Sequence, residues 1–245
     1  MKPLYLFCRE KTILALDGPS LLVWSRRRVL RRIPLRQVSR IVASGNALLQ
    51  TSAVCACLEH GISVTYTDGQ GPRGWVAPFR NDGLGLAGRL ERFCDRPDAA
   101  SLYENWKLAQ QRKEILSVLR SLNLRVTDLR GPSVEARLSA LLREGEARRF
   151  LGLANAVLAS RLAEFLTKEG CGAAFGGAAA RLRLIEGFAG LLVWRRFGEW
   201  ILESPAARSA EERTVIAWME ARSDDDAERV RRLADAFLIW LGHQP

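Results

Sequence analysis

Histidine is almost absent from this chain: 245 residues contain two, His60 and His243. His60 stands just ahead of the Gly61 turn signal and His243 close to the last residue, so few positions can supply an imidazole base or metal ligand. Cysteine is sparse and unpatterned. The five cysteines (Cys8, Cys55, Cys57, Cys94, Cys171) are odd in number, scattered and set among apolar neighbours. Cys55 and Cys57 form a C-x-C with no second pair and no suitably spaced histidine, which speaks against zinc. Buried reduced thiols are expected instead. No apolar run approaches the roughly 20 uncharged residues of a membrane span. The opening MKPLYLFCREKTILALDG meets Arg9, Glu10 and Lys11 too early for a signal peptide's apolar region, so the expectation is mature, cytoplasmic sequence with no membrane partner.

Positive charge, by contrast, is plentiful. Lys and Arg number 37 against 27 Asp and Glu, a net charge of +10. That excess favours a polyanionic partner such as nucleic acid, or an acidic lipid surface. Apolar residues make up 48% and charged residues 26%, the composition of a globular chain long enough for one large domain or two ordinary ones. The charge is densest in SRRRVLRRIPLRQVSR, residues 25–40, which holds seven arginines and no acid. Val29, Leu30, Ile33, Leu35 and Val38 are interspersed, so the stretch reads as a strand or short hairpin. Alternation along a strand would set some of Arg26, Arg27, Arg28, Arg31 and Arg32 in a row, with apolar neighbours turned inward. A solvated face explains the run as readily as a phosphate-binding strip does, and the rest of the sequence has to choose.

Two textures divide the chain. From residue 4 to about 80 it reads as short strands: LYLF, TILALD before the turn Asp17-Gly18-Pro19, LLVW, the arginine segment, and SRIVAS up to Gly45-Asn46. NALLQTSAVCACLEHG has the apolar spacing of one helix stopped by Gly61. SVTYT and Trp75-Val76 are again extended. Residues 81–98 are glycine-rich and then charged, and are expected to be a linker. Beyond them, ASLYENWKLAQQRKEILSVLRSLN, VEARLSALLREGEARRFLGLANAVLASRLAEFLTKEG, RLRLIEGFAGLLVWRRFGEWILE and AERVRRLADAFLIWL repeat apolar residues at helical spacing. The expected architecture is α+β: a mostly-β domain with one helix over residues 1–80, a linker over 81–98, and an all-α domain over 99–245. Ser223-Asp224-Asp225-Asp226 reads as a helix start with acids in its first turn, the alternative being a metal cluster.

The strings LDGPSLLVW and RRIPLRQVSRIVASGNALLQTSAVCACLEHGISVTYTDGQGPRGW resemble the N-terminal domain of the CRISPR-associated adaptation integrase/endonuclease family. LLREGEARRFL, NAVLASRLAEFLTKEG and RLIEGFAG are similar to motifs of its helical domain. The resemblance implies an N-terminal domain that dimerises and contacts double-stranded DNA, and a helical domain holding Mg²⁺ or Mn²⁺ on Glu, His and Asp. It implies joining of the 3′ hydroxyls of a captured DNA fragment to a repeat. A small adaptation-complex subunit or a catalytic paralogue is the implied protein partner.

Carried over residue by residue, the implied metal site is depleted. The glutamate falls on Glu144, with Glu146 on another helix face. The histidine position falls at Ala178 and Ala179, which bind no metal. The aspartate position is Arg183, Glu186 is the family's following acid, and Ala189 stands where the family has arginine. Glu144 and Glu186 are the remaining metal candidates, and Glu144 alone the catalytic one. A guanidinium at Arg183 repels a divalent ion and can hold a phosphate itself. Glu144, Glu164, Glu186 and Glu199 form an all-carboxylate alternative, unless they are solvated or paired with arginines. The expected DNA-contacting set is Arg26, Arg27, Arg28, Arg31, Arg32, Arg36 and Arg183. Trp75 and Tyr66 either stack on bases or pack in the core.

The sequence therefore predicts a DNA-binding protein of CRISPR spacer acquisition with a degenerate metal site, no cofactor, and a structural or regulatory role. The alternative is an active integrase/endonuclease using Mg²⁺ or Mn²⁺. A third reading, a protein-interaction module, would use Trp194, Trp200 and Trp240 unless these are core.

Overall fold

The computed structural model describes residues 1–25, 28–68, 72–76, 86–142, 145–168, 182–203 and 211–243. Its N-terminal part is a six-stranded mixed sheet in the order β3-β2-β1-β4-β5-β6. The strands are β1 (Lys2–Asp17), β2 (Ser20–Ser25), β3 (Arg28–Pro34), β4 (Val38–Leu49), β5 (Ser63–Thr67) and β6 (Pro72–Val76). β1, β2 and β3 form an antiparallel meander, β1, β4 and β5 run parallel, and β6 returns antiparallel. Helix α1 (Thr51–Glu59) makes the crossover that parallel β4 and β5 require.

Side-chain alternation gives the sheet two different faces. Leu4, Leu6, Leu14, Leu21, Ile41 and Ala43 point one way and bury against Ala53, Ala56 and Cys57 of α1. Tyr5 and Phe7 point the other way and pack against the helices that follow. Those helices are α2 (Leu86–Cys94), α3 (Ala99–Ser121), α4 (Gly131–Ser139), α5 (Glu146–Lys168), α6 (Leu184–Glu203), α7 (Glu212–Glu220) and α8 (Ser223–Gly242). α5 and α6 are the centre of this layer. By length and mean hydropathy (1.3) α5 is apolar enough to cross a membrane, but 78% of its apolar window is buried inside the protein. The aromatic rings are core: Phe150 stacks on Trp200, and Trp106, Phe188, Phe237 and Trp240 form a second cluster. Trp194 is buried with them and Trp240 partly so, which accounts for the tryptophans of the interaction-module reading. Trp75 packs against this helical cluster and Tyr66 against the sheet cluster.

The sheet meets the helices through charge as well as apolar contact. Arg40, on β4 and 8% exposed, donates to Glu164 of α5 at 2.9 Å and to Glu220 of α7 at 3.1 Å. The Tyr5 hydroxyl on neighbouring β1 donates to the same Glu220. An arginine inside the RQVSRIV part of the basic run is therefore a structural cross-link.

Several local expectations are corrected. LYLF and TILALD are one strand: Arg9, Glu10 and Lys11 lie exposed in an irregularity between Cys8 and Thr12, beyond which pairing with β4 resumes. The helix expected from Asn46 begins at Thr51, because Ala47, Leu48 and Leu49 extend β4 alongside Thr12, Ile13 and Leu14. Gly45 permits this close pairing. Its φ is +68°, and a Cβ there would lie 2.3 Å from the Cys8 carbonyl oxygen. Residues 86–94 of the expected linker form α2, anchored by buried Leu90 and Phe93. Cys57 is buried, as expected of the cysteines, whereas Cys55, two residues along α1, is exposed; Cys171 lies outside the described residues.

Replacing Arg40 by Met should lower unfolding free energy by about 1.5–3 kcal/mol, because the charge-assisted bonds of its buried guanidinium to Glu164 and Glu220 are lost. Urea titration of wild type and variant checks this; a loss below about 1 kcal/mol, the size of an exposed ion pair, would mean the bridge is not structural.

Candidate functional site

The arginine strip lies on the sheet's edge strand. Arg28 and Arg31 on β3, and Arg36 in the single 3-10 turn Leu35–Gln37 that follows, are exposed, and among the described residues no carboxylate pairs with them. Arg32 instead pairs with Asp17. The register shift in β3 leaves Leu30 unpaired between Val29, opposite Trp24, and Arg31, opposite Val23. Arg28 and Arg31 consequently share one face while Val29 and Arg32 share the other. The expected inward turn of the apolar neighbours does not occur: Val29 is 50% and Leu30 62% exposed, because an edge strand running past the core has nothing to bury them. Arg26 and Arg27 lie outside the described residues.

A second constellation lies in the helical layer. A cleft of about 450 Å³ opens between α3 and the start of α6, with Tyr103, Glu104, Lys107, Gln111, Arg183 and Glu186 among its lining residues. Arg183 precedes α6 at a φ of +50°, unusual for a residue with a side chain, and its carbonyl accepts the Gly187 N–H. Its largely exposed guanidinium stands 3.5 Å from Glu186. Lys107 pairs with Glu104 at 2.6 Å.

Elsewhere the helical acids are taken up by arginines. Arg161 of α5 and Arg196 of α6 both grip buried Asp226 of α8. Arg161 also reaches Glu220 at 2.9 Å, and Arg196 reaches Asp225 at 2.7 Å and Glu199. Arg229 joins Glu199 to Asp225. The aspartate triplet opens α8, as read from sequence, and two of its members are ion-paired. Glu164 and Glu199, members of the all-carboxylate alternative, are thus committed to Arg40 and to Arg196 with Arg229. Sequence reading missed Arg161, Arg196 and Tyr103. The available signal was a charge at a core position: Arg161 follows Ala154 and Leu158, and Arg196 follows Ala189 and Val193, on apolar helix faces.

The sequence profile of "CRISPR associated protein Cas1" matches residues 4–143. The chain belongs to the Cas1 family. A search of curated proteins finds no match. Among solved structures, TM1797, a Cas1 protein from Thermotoga maritima, is similar over 100% of this chain and 98% of its own, with 12% identity and a TM-score of 0.72. A TtCas1–DNA complex is similar over 100% and 92%, at 14% identity and TM-score 0.60. A casposase bound to integration product is similar over 82% and 73%, at 13% and 0.56. At these identities the likeness establishes the α+β fold.

Does this Cas1-family chain fit the divalent ion its resemblance implies? Such an ion needs several hard oxygen or nitrogen ligands. Among the described residues no group of three His, Cys, Asp or Glu side chains is placed to hold one. Arg183 stands where the resemblance puts an aspartate, beside the single carboxylate of Glu186. Glu144, Ala178 and Ala179 lie outside the described residues. Glu146 opens α5, where nearby Phe150 stacks on Trp200; Glu186 is at the other end of α6, about 21 Å from Trp200 at the helical rise. The described side chains do not fit a divalent cation.

Burial raises the Glu220 carboxyl, and the Tyr5 hydroxyl, Arg161 and Arg40 outweigh it, leaving the group below its ordinary value of 4.5. A carboxyl lowered on folding contributes stability that is complete above its unfolded value and is lost as pH falls through its folded one. Thermal melts from pH 7 to pH 3 should therefore show a drop below pH 4.5 that is shallower in Glu220→Gln; identical pH profiles would remove Glu220 from the network's energetics.

Proposed function

We propose that this chain is a DNA-binding protein of CRISPR spacer acquisition, acting in the cytoplasm as a homodimer. It holds duplex phosphates without metal-dependent strand chemistry and serves a structural or regulatory role beside a catalytic paralogue or a small adaptation subunit. The observation that carries this reading is the edge strand itself. Exposed Arg28 and Arg31 on that strand of a Cas1-type sheet, and Arg36 in the short turn that follows it, are free of acidic partners among the described residues, in a chain of net charge +10. Such guanidiniums position a duplex through its backbone and carry no sequence information. Arg26 and Arg27 extend the same strip in sequence, and Arg183 is its counterpart in the helical layer. The DNA-bound TtCas1 and the product-bound casposase, both of related fold, support the choice of partner.

Dimerisation is supported by the other face of the sheet. Val29, Trp24, Ile13 and Leu48 are register partners across β3, β2, β1 and β4, and Val29, Trp24 and Leu48 are 50%, 37% and 50% exposed. A contiguous apolar row of this kind marks an association surface. An active enzyme would need metal ligands at the positions that hold Ala178, Ala179 and Arg183.

Gel shifts with a blunt duplex in EDTA, between about 50 and 200 mM salt, test the reading; affinity should fall with a log–log slope of about −0.9 per phosphate contacted. Alanine at Arg28, Arg31 or Arg36 should each reduce that slope by about one contact, and alanine at Asp17-paired Arg32 by less. No saturable binding at the lowest salt, or an unchanged slope in the triple variant, would overturn it.

A further inference from the structure

We infer that a second cleft, between α3, α6 and α8, binds the phosphoryl group of a small phosphate monoester or of inorganic phosphate, and rejects the phosphodiesters of a DNA backbone. The inference goes beyond the DNA-binding reading and does not depend on it.

The cleft measures about 210 Å³ and lies across Leu191 from the one that Arg183 lines, so that Leu191 borders both. Three helices bring unlike charges to its walls: Glu114 from α3, Arg195 from α6, and Arg229 and Arg232 from α8. The cations are only partly answered. Arg229 is mostly buried. Its Nη2 reaches Glu199 at 3.1 Å and Asp225 at 2.7 Å, but its Nη1 is buried without a partner. A buried donor of that kind costs free energy until an acceptor meets it. Arg195 and Arg232 each hold one acid on their own helix, Glu199 at 3.2 Å and Glu228 at 2.9 Å, and are otherwise exposed. A guanidinium carries more N–H donors than one carboxylate occupies.

Glu114 lines the same cleft without touching these cations. Among the described residues it makes no hydrogen bond and no ion pair. Burial raises its carboxyl above the ordinary 4.5, although Arg195 and Arg229 pull it down. A gap thus separates one acceptor from three donor groups, beside apolar walls of Leu191, Leu192 and Leu233.

The occupant has to bring acceptors for the guanidiniums and a donor for Glu114. A phosphoryl group with a free hydroxyl does both. Its oxygens match the forked donors of arginine, and its second ionisation at about pH 6 leaves a proton that it shares with the carboxylate. Sulfate and a phosphodiester carry acceptors only at neutral pH, so each sets an anion against Glu114 and brings no proton. A metal cation is repelled by the three guanidiniums. The cleft is smaller than the roughly 300–1,000 Å³ of sites for drug-sized ligands, and suits a phosphate with a few carbons lying on the leucines.

Isothermal titration calorimetry of the whole chain, at neutral pH and fixed ionic strength, compares inorganic phosphate, propyl phosphate, dimethyl phosphate and sulfate. The first two should bind at least about tenfold more tightly than the last two, the scale of one unmet polar group. Propyl phosphate as the tighter of the pair identifies an ester as the ligand, and the reverse order identifies the free ion. Glu114→Gln keeps the shape and turns an acceptor into a donor, so it should raise sulfate affinity about tenfold and erase the preference. Arg195→Gln combined with Arg232→Gln, both at exposed positions, should weaken phosphate binding about tenfold. Equal binding of all four ligands by the wild type would mean general attraction to a cationic surface and overturn the inference. No measurable phosphate binding, or wild-type selectivity in Glu114→Gln, would overturn it as well. Such a failure leaves the reading of the β3 strip untouched.

Discussion

Asp226, clasped by Arg161 and Arg196 in the middle of the helical layer, is the interaction on which the rest of the molecule depends. A carboxylate only 2% exposed is tolerable because two guanidiniums answer it, and each guanidinium reaches further acids in turn. Arg161 leads through Glu220 to Arg40 and Tyr5 on the sheet; Arg196 leads through Glu199 to Arg229. Charge thus runs unbroken from β4 to α8, with the neutral Tyr5 hydroxyl of β1 joined to it at Glu220. The network fixes how the helical layer sits on one face of the sheet, while α1 covers the other.

The network also decides what chemistry the helical layer has available. Glu164, Glu199, Glu220, Asp225 and Asp226 each neutralise an arginine, and an acid held in that way is a poor ligand for a divalent ion. Glu186 lies outside the network, but its neighbour is Arg183. Both line the cleft between α3 and α6, together with Tyr103 and Lys107.

The α+β division was legible because each half has its own texture: short runs of strand formers such as LYLF and SVTYT between turn signals, then three-to-four spacing through the later helices. Boundaries failed where tertiary pairing outweighed local signal. Ala47 to Leu49 suit a helix by composition, yet β1 holds them as strand, and Arg9 to Lys11 punctuate a strand that continues past them. The closeness of Arg183 to Glu186, three residues on, could be read directly. The role of Arg40 could not, since one arginine among seven looks alike until the fold turns it toward α5 and α7. The cleft was equally hidden, because Tyr103 and Glu186 lie far apart in sequence and meet only through packing of α3 on α6.

The central proposal is that, with the network's acids among the described residues committed to arginines, the chain holds no catalytic metal. It is tested most directly by incubating purified protein with a 3′-hydroxyl duplex and a repeat-bearing plasmid in manganese buffer, with an EDTA control. The account predicts no manganese-dependent nicked or joined product from wild type. A product that forms with manganese and disappears in Glu144→Ala would contradict it.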